Sequence, residues 1–388
     1  MERPYHFLTG GTGLLGTYIL RDLLRAGHQV AVLARPCKKT SPRQRIDRIL
    51  SYWEQEMGER LPRPTIIEGD LQDESWLEKH ADWFEKNCGS VIHCAASLTF
   101  YGPADAEPWR SNIDGTKKIL SICEEFGIRR MHYFSTAYVA GSRRLFHEND
   151  LDVGQTLRND YEQSKFEAEK LVRAAKFLDR PTIYRPSIVV GDSQTAYTTT
   201  YHGFYAVLKL AHTLVSRMPL GSTSGRNLLV ALGLDGSERK NFVPVDWVAA
   251  VFDHIFSNPQ FHGKTYHLTS PRPPLLRDFV DVVQDAVETY SPLAMETDPH
   301  KADENWFFRN YVDQVQIYKA YLQDDPDFDS TNTQTAAPHL PCPVMDVDLM
   351  MFLARYAILS QFGKKKVKTT AVEHVGKPLR RTELETAR

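Results

Sequence analysis

The predicted fold depends on one stretch of sequence, Thr9-Gly10-Gly11-Thr12-Gly13-Leu14-Leu15-Gly16. It follows a strand-like apolar run at residues 5–9 and precedes an amphipathic helical pattern over residues 14–25, which ends before Gly27. Glycines at GxxGxxG spacing between a strand and a helix are typical of a dinucleotide-binding turn. We expect Gly10 to make the tight turn, Gly13 to admit a pyrophosphate, and Gly16 to let the helix pack close to the strand.

The same turn supplies most of the predicted cofactor contacts. The N-terminus of the following helix offers free N–H groups and a positive dipole to an anion. We therefore expect the cofactor to be bound along this turn by Thr9, Gly10, Thr12, Gly13, Leu14, Leu15 and Gly16.

The end of the second predicted strand, residues 29–33, indicates which nicotinamide cofactor binds. An NAD site usually has a carboxylate about 20 residues past the glycine turn, whereas this chain has Ala34 and Arg35 there. Because the planar guanidinium of an arginine pairs well with a 2′-phosphate, we predict NADP(H), with Lys38 or Lys39 as further candidates.

Two more cofactor candidates, Asp70 and Leu71, follow a third strand at residues 65–67. The Asp70 carboxylate is suited to accept a hydrogen bond from an adenine amino group, or equally to cap a helix. The sequence leaves these two alternatives open.

Strand-like and helical patterns alternate along the first half of the chain. Further strands are predicted at residues 90–93, 131–134 and 182–184, and further helices at residues 110–126 and 161–176. This alternation predicts an α/β fold with a doubly wound parallel sheet of the Rossmann type. The assignment is an NADP-binding domain at residues 1–190 and 239–270, a smaller, mainly helical substrate-binding sub-domain at residues 191–238 and 271–362, and a polar tail at residues 363–388.

A tyrosine and a lysine have the spacing YxxxK at the start of the predicted helix 161–176. Residues four apart share a helix face, so the ammonium of Lys165 is expected near the phenol of Tyr161, whose pKa it would lower. Thr136 ends the fifth strand, at the sheet edge where ligands bind in such folds, and is suited to hydrogen-bond a carbonyl oxygen. Asn112 is predicted to hold a water for proton relay. Alternatively, Thr136 caps the strand end and Asn112 is a packed helix residue.

Composition narrows the function classes. The formal net charge is −2 without a large basic block, which speaks against a nucleic-acid partner. Five cysteines without CxxC spacing speak against a disulfide framework and against a thiolate zinc site. We therefore predict no metal site and a reducing compartment. No apolar leader and no membrane-length apolar run are present, and we expect a cytoplasmic protein. The basic run at residues 364–368 is expected to be a solvated tail.

The motifs, in their order and spacing, resemble those of extended short-chain dehydrogenases/reductases. The resemblance covers residues 5–270, and its further pieces are residues 68–71, 91–96, 112–116, 134–136, 161–165 and 184–187. Residues 135–139, 243–249 and 263–268 are similar to the thioester reductase and fatty acyl-CoA reductase branch. Asp246 is expected to brace a loop, and residues 327–329 resemble the tail of that branch loosely.

This resemblance implies roles for individual residues. The catalytic set would be Asn112, Thr136, Tyr161 and Lys165. Ala95, Ala96 and Ser97 would line the nicotinamide side, Tyr161 and Lys165 would also contact the cofactor, Lys165 at the nicotinamide ribose, and Pro186 and Ser187 would touch it through backbone atoms.

The expected function is therefore NADPH-dependent reduction of the carbonyl of an acyl thioester or aldehyde, with Tyr161 as the proton donor. The partner would be a small-molecule carbonyl or acyl-thioester substrate carried on coenzyme A or a carrier protein. The apolar helix at residues 204–215 and the aromatic cluster near Trp306 either wall a substrate pocket or form core. Three rivals remain: a nucleotide-sugar epimerase or dehydratase, a secondary-alcohol dehydrogenase of the hydroxysteroid type, and a non-catalytic NADPH-binding sensor.

Overall fold

The computed structural model describes residues 3–37, 39–73, 75–215, 224–291 and 322–365. Lys38, the aromatic cluster near Trp306 and the tail beyond Lys365 lie outside these residues. Among the helices that it describes, none combines the length and the apolar character needed to cross a lipid bilayer.

A seven-stranded sheet, parallel throughout, is built from strands between residues 5 and 268. Its strands, in chain order, are β1 (Tyr5–Thr9), β2 (Gln29–Ala34), β3 (Thr65–Glu68), β4 (Cys88–His93), β5 (Arg130–Phe134), β7 (Thr182–Pro186) and β10 (Thr265–Leu268). Across the sheet the order is β10-β7-β5-β4-β1-β2-β3. The chain therefore reverses its winding direction between β1 and β4, and the predicted doubly wound α/β fold is confirmed.

The strands are apolar because helices cover both faces of the sheet, as parallel sheets require. Phe7, Val32, Val91 and Ile92 are completely buried on three adjacent strands. The covering helices are α1 (Leu14–Arg25), α2 (Pro42–Met57), α3 (Ser75–Asn87), α4 (Gly115–Glu125), α5 (Asp160–Ala174) and α8 (Val245–Ser257).

The predicted helix at residues 110–126 has two parts. Its first turn, Arg110–Asp114, is a π-helix, and α4 follows it from Gly115. The Gly115 N–H donates to the Arg110 carbonyl, the wider hydrogen bond that defines such a turn. Bulges of this type are frequent at functional sites, and this one carries Asn112.

The chain forms two compact units. The first consists of Met1–Val190, Glu238–Pro274 and Ala320–Val344, and it contains the sheet. Besides the sheet, this unit has two short parallel pairs, in which β6 (Leu145–Phe146) pairs with β11 (Asp327–Phe328) and β8 (Ile188–Val190) with β9 (Phe242–Pro244). It also contains a short helix, α10 (Thr331–Ala336).

The second unit consists of Gly191–Ser237, Leu275–Lys319 and Met345–Arg388. Its described helices are α6 (Phe204–Val215), α7 (Ser224–Ala231), α9 (Leu276–Tyr290) and α11 (Val347–Leu359), and α9 packs against the other three. On α6, Phe204 and Leu208 are buried, and the Phe204 ring lies 5.2 Å from the Phe279 ring. These contacts favour the core alternative for the apolar helix.

The structure differs from the expected domain boundaries at residues 322–344, which were assigned with residues 271–362 to the substrate-binding sub-domain. They pack in the first unit instead. β11 pairs with β6. In addition, Asp325 forms a buried ion pair with Lys240, with 2.6 Å between Asp325 Oδ1 and Lys240 Nζ. Because β6 and β11 are far apart in the chain, no local sequence pattern predicts that they pair.

Candidate active site

The glycine turn after β1 lies where the winding of the sheet reverses. Gly10 has a φ of +75°, and a Cβ there would lie 2.7 Å from the Ala95 nitrogen. A Cβ on Gly16 would lie 2.0 Å from the Gly10 carbonyl oxygen. Neither position can therefore carry a side chain without moving the main chain, as expected for a tight turn and for close packing of α1 on β1.

Gly13 differs from Gly10 and Gly16 because a side chain there would meet a single described atom. A Cβ there would meet the Gly10 carbonyl oxygen at 3.3 Å, with no other described atom within 4 Å. The first helical hydrogen bond of α1 runs from the Thr17 N–H to the Gly13 carbonyl, so the amides of Leu14, Leu15 and Gly16 precede the regular bonding pattern. The open side of Gly13 and these amides are suited to hold a pyrophosphate.

Arg45, which the sequence argument missed, connects two of the predicted cofactor residues. Its Nη2 donates to Thr12 Oγ1 at 3.0 Å, and its Nη1 donates to the Arg35 carbonyl at 3.0 Å. The Arg35 side chain itself is exposed. A sequence signal for this arrangement exists: Ser41 and Gln44 form a capping box, which starts α2 and brings Arg45 into its first turn.

Asp70 is used within its own turn. Its carboxylate accepts the Gln72 N–H at 3.1 Å, and its carbonyl accepts the Asp73 N–H at 3.0 Å. Leu71 packs beside the start of α4, where a Cβ on Gly115 would lie 3.4 Å from Leu71 Cδ1. These Asp70 bonds close a turn ahead of α3, which starts at Ser75, so both alternatives for Asp70, an adenine contact and a helix cap, stay predictions.

Asn112 is buried and braces the segment that follows β4. Its Oδ1 accepts the Ser97 N–H at 2.8 Å, and its Nδ2 donates to the Ser97 carbonyl at 3.1 Å and to Ser164 Oγ at 2.9 Å. Both amide hydrogens are therefore committed to protein partners. The side chain links residues 95–97 to α5, whereas the sequence predicted that it would hold a water.

Thr136, Tyr161 and Lys165 meet at the carboxyl edge of β5. The Thr136 hydroxyl lies near enough to the Tyr161 phenol to lower its pKa, and it donates to the Pro186 carbonyl at 3.4 Å. Lys165, 2% exposed, donates from Nζ to the Phe134 carbonyl at 2.7 Å. A hydroxyl, a phenol and an ammonium thus lie together beside the glycine turn.

The pKa of Tyr161 departs from the expected direction. Burial raises it to about 12, and the nearby Thr136 hydroxyl offsets this only in part. Burial also lowers the pKa of Lys165 to about 8. The predicted acidification of the phenol by the ammonium is wrong for this structure, because loss of water around the phenolate outweighs the stabilisation that the phenolate receives. At neutral pH, Tyr161 is a protonated phenol and Lys165 is largely charged.

The remaining candidates lie at the same edge of the sheet. The Ala95 N–H donates to Thr9 Oγ1 at 3.2 Å, which joins the segment after β4 to the end of β1. Pro186 ends β7 beside Thr136, and Ser187 donates from its hydroxyl to Asn241 Oδ1 at 2.8 Å. Ala96 is exposed between these groups.

The parallel sheet, the glycine turn at its winding reversal and the Thr136-Tyr161-Lys165 cluster define an extended short-chain dehydrogenase/reductase. The chain belongs to the male sterility protein family, whose sequence profile matches residues 8–252. The resemblance stated from the motifs is thereby confirmed.

Individual relatives cover the chain to different extents. The aldehyde reductase lnaA of Aspergillus flavus is 27% identical over 407 aligned residues, which cover 93% of this chain and 36% of that protein. The nonribosomal peptide synthetase asaC of the same organism is 27% identical over 285 residues, 69% of this chain and 26% of that protein. This chain thus spans 26% to 36% of the length of these curated relatives.

One solved structure shows the same fold over nearly the whole chain. The terminal R domain from the myxalamid PKS-NRPS biosynthetic pathway superposes with a TM-score of 0.71 at 23% identity, covering 95% of this chain and 93% of that one. At this level of identity the likeness concerns the fold.

Proposed function

We propose that this protein is an NADPH-dependent reductase of the carbonyl group of an acyl thioester or aldehyde, with Tyr161 as the general acid. The observation that carries the proposal is the grouping of the Thr136 hydroxyl, the Tyr161 phenol and the buried Lys165 ammonium at the carboxyl end of β5. The printed names of two relatives, an aldehyde reductase and a nonribosomal peptide synthetase, support the substrate class.

The glycine turn fits a dinucleotide because Gly10 and Gly16 let the main chain pack closely, while the side of Gly13 stays open in front of the first turn of α1. Gly10, Thr12, Gly13 and the amides of α1 would hold the pyrophosphate, and Arg35 with Arg45 would face a 2′-phosphate. When bound, NADPH supplies the reducing equivalent to the carbonyl carbon.

The reacting carbonyl oxygen would be polarised by two hydroxyl donors, those of Thr136 and Tyr161. As negative charge develops on that oxygen, Tyr161 releases its proton to it, which suits a phenol that burial keeps protonated. The neighbouring Lys165 ammonium stabilises the resulting phenolate electrostatically. With a thioester substrate the product of this step is a hemithioacetal, which collapses to an aldehyde and a thiol.

The test is a panel of acyl thioesters, aldehydes and ketones, each assayed by loss of NADPH or NADH absorbance. Turnover of a thioester or aldehyde with NADPH supports the proposal. Turnover on ketones alone would identify a secondary-alcohol dehydrogenase, and substrate conversion without net NADPH loss would identify an epimerase or dehydratase.

A Tyr161→Phe variant separates catalysis from binding. Removal of the general acid should lower kcat by about 100-fold or more, while NADPH affinity measured by fluorescence stays within a few-fold of wild type. A protein that only senses NADPH would have no turnover to lose, so absence of turnover in the wild type with normal NADPH binding would contradict the enzymatic proposal.

A further inference from the structure

The Lys165 ammonium has a second partner besides the Phe134 carbonyl. Its Nζ lies 3.1 Å from the hydroxyl of Tyr133, a completely buried residue of β5. An ammonium has three hydrogens to donate. Two of these hydrogens are directed at acceptors on β5, which leaves the third for the side where Tyr161 lies and the cofactor would bind. β5 therefore determines the orientation of the ammonium.

Thr116 lies next to Tyr133. Its hydroxyl donates to the Asn112 carbonyl at 2.6 Å, and it lies near enough to the Tyr133 hydroxyl to lower the pKa of that phenol, although burial keeps this pKa well above its usual range. Because an ammonium can only donate, the Tyr133 oxygen is the acceptor in its hydrogen bond with Lys165.

His93 secures the other side of Thr116. Its Nε2 lies 3.1 Å from Thr116 Oγ1, and its Nδ1 lies 2.7 Å from Thr9 Oγ1. Since burial lowers the pKa of His93 to about 3, the ring is neutral and carries one proton. A proton on Nε2, donated to Thr116, and an Nδ1 that accepts from Thr9 satisfy every partner. The network thus joins the glycine turn to the π-helix.

We propose that Tyr133 is a positioning residue that fixes the Lys165 ammonium for the reaction at Tyr161. This inference rests on the proposed function for its catalytic consequence, but the hydrogen bond to Lys165 has effects that do not require turnover.

The first effect is on the charge of Lys165. A neutral hydroxyl that accepts from a buried ammonium favours the charged form, and its loss should lower the lysine pKa. A hydrogen bond to a charged group contributes about 1.5–3 kcal/mol, which corresponds to about one to two pH units. The other ionisable groups that face the ammonium stay in place in a Tyr133→Phe variant: Cys94, His93, Glu169 and Tyr161.

The experiment compares Tyr133→Phe with Tyr184→Phe in the full chain. Tyr184 is also completely buried and lies on the neighbouring strand β7, but its hydroxyl is bonded to His132 Nδ1 at 3.0 Å. Both variants lose one buried phenolic hydroxyl. Two profiles are measured for each, NADPH affinity by fluorescence and kcat/KM for the substrate found above, both from pH 6 to pH 10.

For wild type we expect both profiles to fall as pH rises through about 8, where Lys165 loses its proton. In Tyr133→Phe the fall should move about one to two units lower, with kcat reduced at least several-fold at pH 7. Tyr184→Phe should keep the wild-type midpoint. A Tyr133→Phe profile that superposes on wild type in a protein with an unchanged circular dichroism spectrum overturns the inference.

A second variant covers the case in which Tyr133→Phe does not fold. 3-Fluorotyrosine placed at position 133 keeps the ring and the hydroxyl but makes its oxygen a weaker acceptor, so the midpoint should move in the same direction by a smaller amount; an unchanged midpoint contradicts the inference. If the wild type turns over no substrate, the proposed function fails, yet the pH dependence of NADPH affinity still decides the role of Tyr133.

Discussion

Tyr161 and Lys165 are both buried, and burial moves their pKa values in opposite directions. A phenol with a raised pKa keeps its proton until a developing negative charge takes it, which suits reduction. An ammonium with a lowered pKa titrates near the upper end of the physiological range, so the electrostatic support of the phenolate depends on pH. These two shifts make the site better adapted to donating a proton than to removing one.

Arg45 provides a prediction about cofactor choice. Arg45→Ala removes the guanidinium that bonds both Thr12 and the Arg35 carbonyl. We expect NADPH affinity to fall by about 10- to 100-fold, the contribution of charge-assisted hydrogen bonds, and NADH affinity to change little. Isothermal titration with both cofactors measures this difference.

Arg48→Ala is the matched control, since Arg48 is exposed on the same helix. It should leave both affinities within about twofold. Equal losses of NADPH and NADH affinity in Arg45→Ala would show that Arg45 only shapes the turn, and the NADP(H) proposal would then depend on Arg35 alone.

At the site, sequence reasoning predicted the residues that belong to short motifs and missed those defined by contacts in space. YxxxK places Tyr161 and Lys165 on one helix face, and Lys165 reaches the Phe134 carbonyl at the end of β5, two residues before Thr136. Tyr133 and Arg45 have no motif of their own. Their importance comes from neighbours that are distant in sequence, which no local pattern reveals.

At the scale of elements, the glycine turn separates packing from ligand binding. Gly16→Ala would place a methyl group 2.0 Å from a main-chain carbonyl, so α1 must move away from the turn. We expect Gly16→Ala to lower the free energy of unfolding by about 1–3 kcal/mol, as overpacking does. Chemical denaturation of the cofactor-free protein measures this loss.

Gly13→Ala is the informative comparison because the added methyl group contacts the Gly10 carbonyl oxygen at 3.3 Å and otherwise faces open space. It should leave the unfolding free energy within about 1 kcal/mol but weaken NADPH binding. Loss of stability in Gly13→Ala equal to that in Gly16→Ala would contradict this division of roles.

Six of the seven strands of the sheet were predicted, because buried parallel strands are short apolar runs, and each predicted strand overlaps an observed one; β10 (Thr265–Leu268) was not predicted. The first unpredicted element is α2, although its capping box at Ser41 and Gln44 is a readable signal. The π-helix at Arg110–Asp114 could not have been predicted, because its hydrogen bonds depend on packing around Asn112 rather than on residue type.

At the scale of the molecule, the first unit depends on residues that come late in the chain. The ion pair between Asp325 and Lys240 makes this dependence testable. Both side chains are almost completely buried, Asp325 with 1% and Lys240 with 2% of its surface exposed. Asp325→Asn leaves a buried ammonium without its counter-charge and should lower the unfolding free energy by about 3–5 kcal/mol. Urea denaturation followed by circular dichroism measures the change.

Asp327→Asn is the control for this effect. Its partner Arg239 lies 2.5 Å away, but both side chains of this pair are partly exposed, 53% and 35%. Such pairs contribute at most about 1 kcal/mol, so the control should unfold close to wild type. Similar small losses in both variants would show that residues 322–344 are not integral to the first unit.

The strand order has a consequence for synthesis. Translation delivers β7 long before β10, which lies beyond it at the end of the sheet. Until Thr265–Leu268 leaves the ribosome, the backbone groups of β7 on that side have no partner strand and form a template for pairing with other polypeptides. A nascent chain of this protein is therefore vulnerable to aggregation at β7, and its release from that risk coincides with the arrival of β10.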